Sequence, residues 1–216
     1  MSQTKVELIG DATTGTLTIG SGETLAFAGG GSINELMKDQ WRVTSNLVCS
    51  AGYNYFTANW ERVDDASATN VNGTMTESSG VFTFPHTGKY LVEFWATGYT
   101  TSSQGACRYF GANILTTTNN SAYHSDAICY NNMSAATYYA GNAVKVIVDV
   151  TDTSQVKVKF AIYAQAASTA VSCIFDVTNT STHKCKCYVG AAAKIDIAGD
   201  SNRSLTHMQF IKLGDT

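Results

Sequence analysis

The sequence has little proline, little charge and no long apolar run. Pro85 is the one proline in 216 residues, and only 14% of the residues are charged. The net charge of −3 excludes the basic surface that nucleic-acid binding requires. No apolar stretch approaches the roughly 20 residues of a membrane-spanning helix. We therefore expect neither nucleic acid nor a membrane among the partners.

Common catalytic patterns are also missing. The chain has no G-x-S-x-G nucleophile elbow and no phosphate-binding loop. Its four histidines are scattered with no adjacent acid, and Asp64 and Asp65 form a loop pair more typical of solvated residues. A glycan-degrading enzyme would need two opposed carboxylates, which the sparse acids do not reveal. We expect no enzyme and no cofactor.

Six cysteines raise the question of metals and disulfides. Residues 1–8 lack the basic-then-apolar layout of a secretory signal, so we expect synthesis in a cytoplasm and cysteines in the thiol state. His183, Cys185 and Cys187 form the sharpest candidate metal cluster. Structural zinc sites need two clusters with C-x2-C-type spacing, and the sequence shows no second pair of closely spaced cysteines. We favour two thiols on the core side of a strand and expect no metal.

What the sequence does contain is alternation of apolar and polar residues. In segment 80–94 the alternation runs up to Pro85 and resumes after Gly88. Proline lacks the ladder N–H, so it belongs at a strand end or turn. We predict strand, tight turn and strand here, a hairpin-like corner. Segments 144–150 and 156–163 predict a second hairpin, and 116–133 a long polar loop.

The first 35 residues differ from the rest. They hold three short alternating segments broken by glycines, followed by a glycine-rich linker. Such short strands cannot fold alone, so we predict an arm over 1–35 that docks or trimerises, ahead of a head domain over 36–216. A partly ordered leader is the alternative. The docking candidates are Val6, Leu8, Leu17, Ile19, Leu25 and Phe27.

Eight to ten strands after the arm fit an all-β jelly roll, and a family likeness supports this. Residues 80–90 resemble the G-x-F-x-x-P-x-x-G-x-Y signature of complement-type globular heads, which share a jelly roll with tumour necrosis factor. Residues 210–213 look like that family's last strand, which lies beside the first strand. Segments 60–64, 76–80 and 211–215 look like structural proteins of tailed phages, particularly marine ones. The likeness covers roughly residues 40–216.

The resemblance implies a homotrimer with the inner sheets packed about a threefold axis. The strand that starts at Tyr90 fits this, because it carries large apolar groups on both faces. In a monomeric sandwich one face should be apolar, so a second covered face suggests an oligomer. A loop folded over the outer face is the alternative. The trimer-interface candidates are Leu91, Trp95, Tyr163, Ile211 and Leu213.

These features predict a virion structural protein of a tailed phage, made in the host cytoplasm. The trimer would join the major capsid protein or a tail or portal component through its arm, as a capsid decoration, cement or head fibre. One alternative is a tail-fibre or receptor-binding knob for a host-surface glycan or protein, with Tyr123 and Tyr130 as surface-binding candidates, because aromatics among Asn and Ser are typical of such surfaces. Another is a soluble ligand-binding module resembling a complement head.

Overall fold

The computed structural model describes residues 37–65, 70–100, 107–133, 139–166, 174–175, 185–186 and 195–216. Every strand pair in these residues is antiparallel, and no helix long and apolar enough to cross a membrane occurs among them. The described strands are β1 Lys38–Val43, β2 Leu47–Cys49, β3 Gly52–Tyr55, β4 Trp60–Arg62, β5 Thr76–Ser78, β6 Val81–Thr83, β7 Gly88–Tyr99, β8 Cys107–Thr117, β9 His124–Met133, β10 Tyr139–Val150, β11 Lys157–Ala166, β12 Ile174–Phe175, β13 Cys185–Lys186, β14 Ile195–Ile197 and β15 His207–Gly214.

Two sheets pack face to face as an all-β jelly-roll sandwich, the fold class that the sequence predicts. In the first sheet the order is β10, β7, β15, β1 and β4, with β14 and β2 continuing beyond the end of β15. In the second sheet the order is β5, β6, β11, β8 and β9, and β3 pairs with β11 beyond β6. The last strand lies beside the first, as expected from the family likeness. β12 and β13 pair separately. All described residues belong to a compact unit, Asn34–Thr216.

Aromatic rings fill the space between the sheets. Phe82 is fully buried, and its ring centroid lies 5.4–5.6 Å from those of four other aromatic residues drawn from both sheets. Edge-to-face packing of this kind adds about 0.5–1.5 kcal/mol per pair beyond area burial. The partners of Phe82 are Trp41, Trp60, Phe160 and Phe210.

The predicted hairpin of segments 144–150 and 156–163 is wrong, and the predicted hairpin-like corner at Pro85 is a corner between the two sheets. β6 and β7 flank Pro85 as expected, but β6 belongs to the second sheet and β7 to the first. Likewise β10 pairs with β7, while β11 pairs with β8. Both turns therefore carry the chain from one sheet to the other. Apolar alternation and turn residues are the same for a hairpin and for such a corner, so the sequence pattern could not separate them.

A hairpin does occur one strand earlier, where β5 pairs with β6. Its two-residue loop is Ser79–Gly80, with φ of 52° and 80°. Positive φ at both positions is the geometry of a type I′ turn. A Cβ at Gly80 would lie 1.9 Å from the carbonyl oxygen of Phe56, so no other residue fits there without backbone movement.

The predicted loop 116–133 changes its bounds. It is not one loop, because its second half is β9, paired with β8. Two breaks occur earlier in the chain, since residues 44–46 separate β1 from β2 and residues 56–59 separate β3 from β4. Asn59 has a φ of 65°, a value that no strand residue adopts, which explains the second break.

Buried charges fix the free edge of the first sheet. Asp39 is fully buried and accepts hydrogen bonds from Arg62 Nε at 2.9 Å and from the backbone N–H of Met75 at 3.0 Å. The Arg42 side chain is 2% exposed and donates to Glu61 and to the loop pair Asp64–Asp65. The loop pair thus anchors an arginine, and is not simply solvated. Removing the Arg62 side chain would be destabilising, because it leaves the buried Asp39 carboxylate without its counter-charge.

We expect Phe82→Ala to destabilise the fold by about 3–5 kcal/mol, because it removes the ring on which both sheets pack. Chemical denaturation followed by tryptophan fluorescence measures this change. Val48→Ala is the control, since Val48 is 56% exposed and should change stability by no more than about 0.5 kcal/mol. Equal effects of the two substitutions would contradict the packing described here.

Candidate functional site

The outer face of the first sheet carries an apolar row at its centre. Along β7 the residues that point inward are buried, and most of those that point outward are half-buried. Both faces of the strand carry large side chains. Leu91 faces outward, with Ile147 of β10 opposite it on one side and Ile211 of β15 on the other. Ile147 is 62% exposed and Leu213 is 51% exposed. Leu91, Ile147 and Ile211 form what we call the apolar row, which lies across β10, β7 and β15.

A stacked pair lies farther along the same face. The rings of Trp95 and His207 are cross-strand neighbours whose centroids are 4.7 Å apart at an angle of 12°. Together with small residues of β10, including Gly141, they line a hollow of about 390 Å³. A Cβ added at Gly141 would have no other heavy atom within 4 Å. The face is therefore shaped to receive a side chain from outside.

A polar ladder separates the apolar row from the stacked pair. Gln40 Nε2 donates to Gln209 Oε1 at 3.1 Å, and Gln209 Nε2 donates to Glu93 Oε2. Lys145 lies opposite Glu93 on the next strand. Because the side chains of Gln40, Gln209 and Glu93 already bond to one another, this strip can be covered without leaving them unpaired.

Four of the five trimer-interface candidates come together on this face: Leu91, Trp95, Ile211 and Leu213. Tyr163 does not join them, because it lies on β11 in the other sheet. Sequence reasoning missed Ile147. Its signal was an apolar residue at an otherwise polar position of an alternating strand, between Lys145 and Asp149.

The second sheet carries a different surface, made of tyrosines. Ring centroids of Tyr55 and Tyr53 are 6.2 Å apart, those of Tyr53 and Tyr163 5.0 Å, and those of Tyr163 and Tyr109 6.3 Å. Tyr130 completes the group, at 5.0 Å from Tyr109. We call these five residues the tyrosine track. It crosses four neighbouring strands, since Tyr53 pairs with Tyr163, Tyr163 with Gly111 and Gly111 with Tyr130.

Glycine lets the last ring of the track lie across its neighbour strand. A Cβ at Gly111 would be 2.7 Å from Cδ1 of Tyr130, closer than real contacts allow. Aromatic cover of a cross-strand glycine stabilises a sheet at such a point. Beyond Tyr130 the surface dips into a hollow of about 460 Å³ lined by Tyr109, Tyr130, Asn131 and Asn132.

Tyr123 belongs to a second hollow, at the other end of the track. This hollow of about 360 Å³ also contains Tyr55 and Lys159, and the Lys159 ammonium lies 4.0 Å from the centroid of the Tyr123 ring. The two predicted surface-binding residues, Tyr123 and Tyr130, therefore line separate hollows, joined by the track. The rest of the track escaped prediction because its members meet only through the register of β3, β11, β8 and β9.

In the described part of the chain, the remaining candidate residues do not come together in one site. No group of three or more His, Cys, Asp or Glu side chains that could hold a metal is found there. Cys49 is a buried thiol and Cys129 an exposed one. The side chains of the His183–Cys187 segment and all six docking-arm candidates (Val6, Leu8, Leu17, Ile19, Leu25 and Phe27) lie outside the described residues.

Solved structures with a similar fold include murine APRIL and a tumour necrosis factor, Eiger. Murine APRIL at pH 5.0 is 10% identical, with 82% of this chain and 99% of that chain covered and a TM-score of 0.49. Eiger TNF from S. frugiperda is 9% identical, with 85% and 96% covered and a TM-score of 0.52. At such identities the likeness shows the fold alone, a tumour-necrosis-factor-like jelly roll. No protein-family model and no curated protein matches the chain.

The stacked histidine gives a pH prediction. Burial lowers the pKa of His207 below its usual 6.5, although Ser204 and Glu93 act in the opposite direction. The folded state thus binds the proton less tightly than the unfolded state. The contribution of His207 to stability is therefore fully present above about pH 6.5 and falls as the pH drops below that value. The free energy of unfolding, measured by urea denaturation, should fall more between about pH 7.5 and about pH 5 for the native chain than for His207→Gln. Equal losses would contradict the assignment.

Proposed function

We propose that the chain forms a homotrimeric, non-enzymatic head that assembles through the outer face of the first sheet. The observation that carries this proposal is the apolar row of Leu91, Ile147 and Ile211, which lies on the solvent side of the central strand. Aliphatic side chains contribute about 25 cal/mol for each Å² removed from water. A neighbouring copy would remove this area, and the hollow beside Trp95 would receive one of its side chains.

Three features support a copy of the same chain as the covering partner. The tumour-necrosis-factor-like fold agrees with the sequence resemblance, and that resemblance implies a homotrimer. The polar ladder beside the apolar row is joined by hydrogen bonds among its own side chains, and Lys145 lies opposite its Glu93 carboxylate on the next strand. The exposed apolar groups and the small residues Gly141 and Ala143 lie on one face, where the heterologous contacts of a closed ring can place one group against the other.

The biological setting that we propose is the virion of a tailed phage. The head would be made in the host cytoplasm and joined to the major capsid protein, or to a tail or portal component, through residues 1–35. Short glycine-broken segments and a glycine-rich linker in these residues support attachment through an arm, since such segments need a partner surface. The function would be mechanical, as a capsid decoration, cement or head fibre.

A second candidate function is a receptor-binding knob or a soluble ligand-binding head. The tyrosine track favours it, because exposed tyrosines are the side chains that binding surfaces use most. This surface lies on the second sheet, so a trimer formed through the first sheet would keep it available. Assembly and recognition are therefore compatible in one molecule.

We expect Leu91→Glu to weaken trimer formation by at least about tenfold, since it buries three carboxylates in an apolar contact. Sedimentation equilibrium over a range of concentrations measures the change. Tyr55→Glu is the matched control, because it adds the same charge to the second sheet, where Tyr55 is 46% exposed. If both variants associate with themselves as tightly as the native chain does, assembly through the apolar row is refuted.

Deleting residues 1–32 tests the attachment role. We expect the shortened chain to remain a soluble trimer that no longer joins particles, because the docking segments are gone while the head is intact. Incorporation into particles is measured by gel analysis of purified virions after complementation. Normal incorporation of the shortened chain would show that the arm does not dock the head.

A further inference from the structure

We propose that the tyrosine track binds a neutral linear glycan, with its pyranose rings lying on the tyrosine faces. The proposal deepens the second candidate function and rests on it. The track is elongated, its successive centroids are 5.0–6.3 Å apart, and each end opens into a hollow. The hollows, of about 360 and about 460 Å³, fall in the usual size range of ligand sites.

The charge of the surface selects the ligand class. The five tyrosines are uncharged, and so are Asn131 and Asn132 at the far end. Among the described residues that line the two hollows, Lys159 is the one charged side chain, and its ammonium lies over the Tyr123 ring. Among the described residues that line the two hollows, an anionic ligand would find no second cation, whereas a neutral ligand has no charge to desolvate there.

The hydroxyl groups of the track suit the same ligand. Partial burial raises the pKa of Tyr130, and the nearby Tyr53, Tyr109 and Tyr163 raise it further. The phenol therefore stays protonated and can both donate and accept a hydrogen bond, which is also what sugar hydroxyls do. The amide of Asn132, at the rim of the hollow, offers donors and an acceptor beside the aromatic faces.

The direction of the track disfavours an extended peptide. The track crosses β3, β11, β8 and β9 on the face of the sheet, and the backbone groups between these neighbouring strands are paired along these registers. A peptide lying across them would find no main-chain partners for its own N–H and C=O groups. A glycan has no amide backbone to satisfy, and its apolar C–H faces match the rings.

Gly111 sets the shape of the track. Because a Cβ there would meet Cδ1 of Tyr130 at 2.7 Å, Gly111→Ala must move the ring without removing any aromatic group. This substitution therefore tests the arrangement of the rings separately from their chemistry. Tyr130→Phe does the reverse, since it keeps the ring and removes the hydroxyl.

The experiment is calorimetric titration of the full chain with neutral hexasaccharides of β-1,4-glucose, α-1,4-glucose and β-1,4-mannose, and with an acidic hexasaccharide of α-1,4-galacturonate. We expect binding of at least one neutral probe, weakened at least about tenfold by Tyr130→Ala and by Tyr109→Ala. Gly111→Ala should also weaken it, and Tyr130→Phe should weaken it less than Tyr130→Ala. Tyr139→Ala is the matched control, since Tyr139 is a 72% exposed tyrosine of the first sheet, and should leave binding unchanged.

Three results would overturn the inference: no binding of any neutral probe at millimolar concentration, preference for the acidic probe, or binding that survives both alanine substitutions. A proline-rich peptide that binds where the glycans do not would also overturn it. Sedimentation of the same samples shows whether the chain is trimeric, so failure of glycan binding can be told apart from failure of the trimer proposal. A trimer without glycan binding refutes only the glycan site, and a glycan-binding monomer refutes only the assembly.

Discussion

The central strand β7 has to be covered on both faces, and the rest of the molecule follows from that constraint. Its inward residues, Tyr90, Val92 and Phe94, are fully buried against the second sheet. Its outward residues include Leu91 and Trp95, which no described strand covers. Since aliphatic and indole surface is costly in water, the outer face calls for a partner. A jelly roll with this strand in its first sheet fits the assembly that we propose.

The two outer faces differ in chemistry, which separates their roles. The first sheet presents aliphatic residues and an internally satisfied polar ladder, features typical of an interface between copies. The second presents hydroxylated rings and two hollows, features typical of a ligand surface. Glycine matters at one position on each face: Gly141 leaves space beside Trp95, and Gly111 accommodates Tyr130. A head assembled through one sheet keeps the other open to its surroundings.

Local patterns predicted the strands and the fold class but not how the strands connect. Alternation identified the buried faces of β7, β10 and β11, because it depends only on neighbours in the sequence. Whether a turn closes a hairpin or changes sheets depends on distant partners. The turn after β10 was therefore misread as a hairpin, and the corner at Pro85 was predicted only as hairpin-like. The tyrosine track required the register of four strands. Ile147, by contrast, was visible locally as an apolar residue at a polar position.

The proposed cover of the outer face of β7 by identical copies is tested most directly by sedimentation equilibrium of the native full chain at micromolar concentration. We expect a single species of three times the chain mass of 23.1 kDa. A stable species of one chain mass at the same concentration would contradict the proposal.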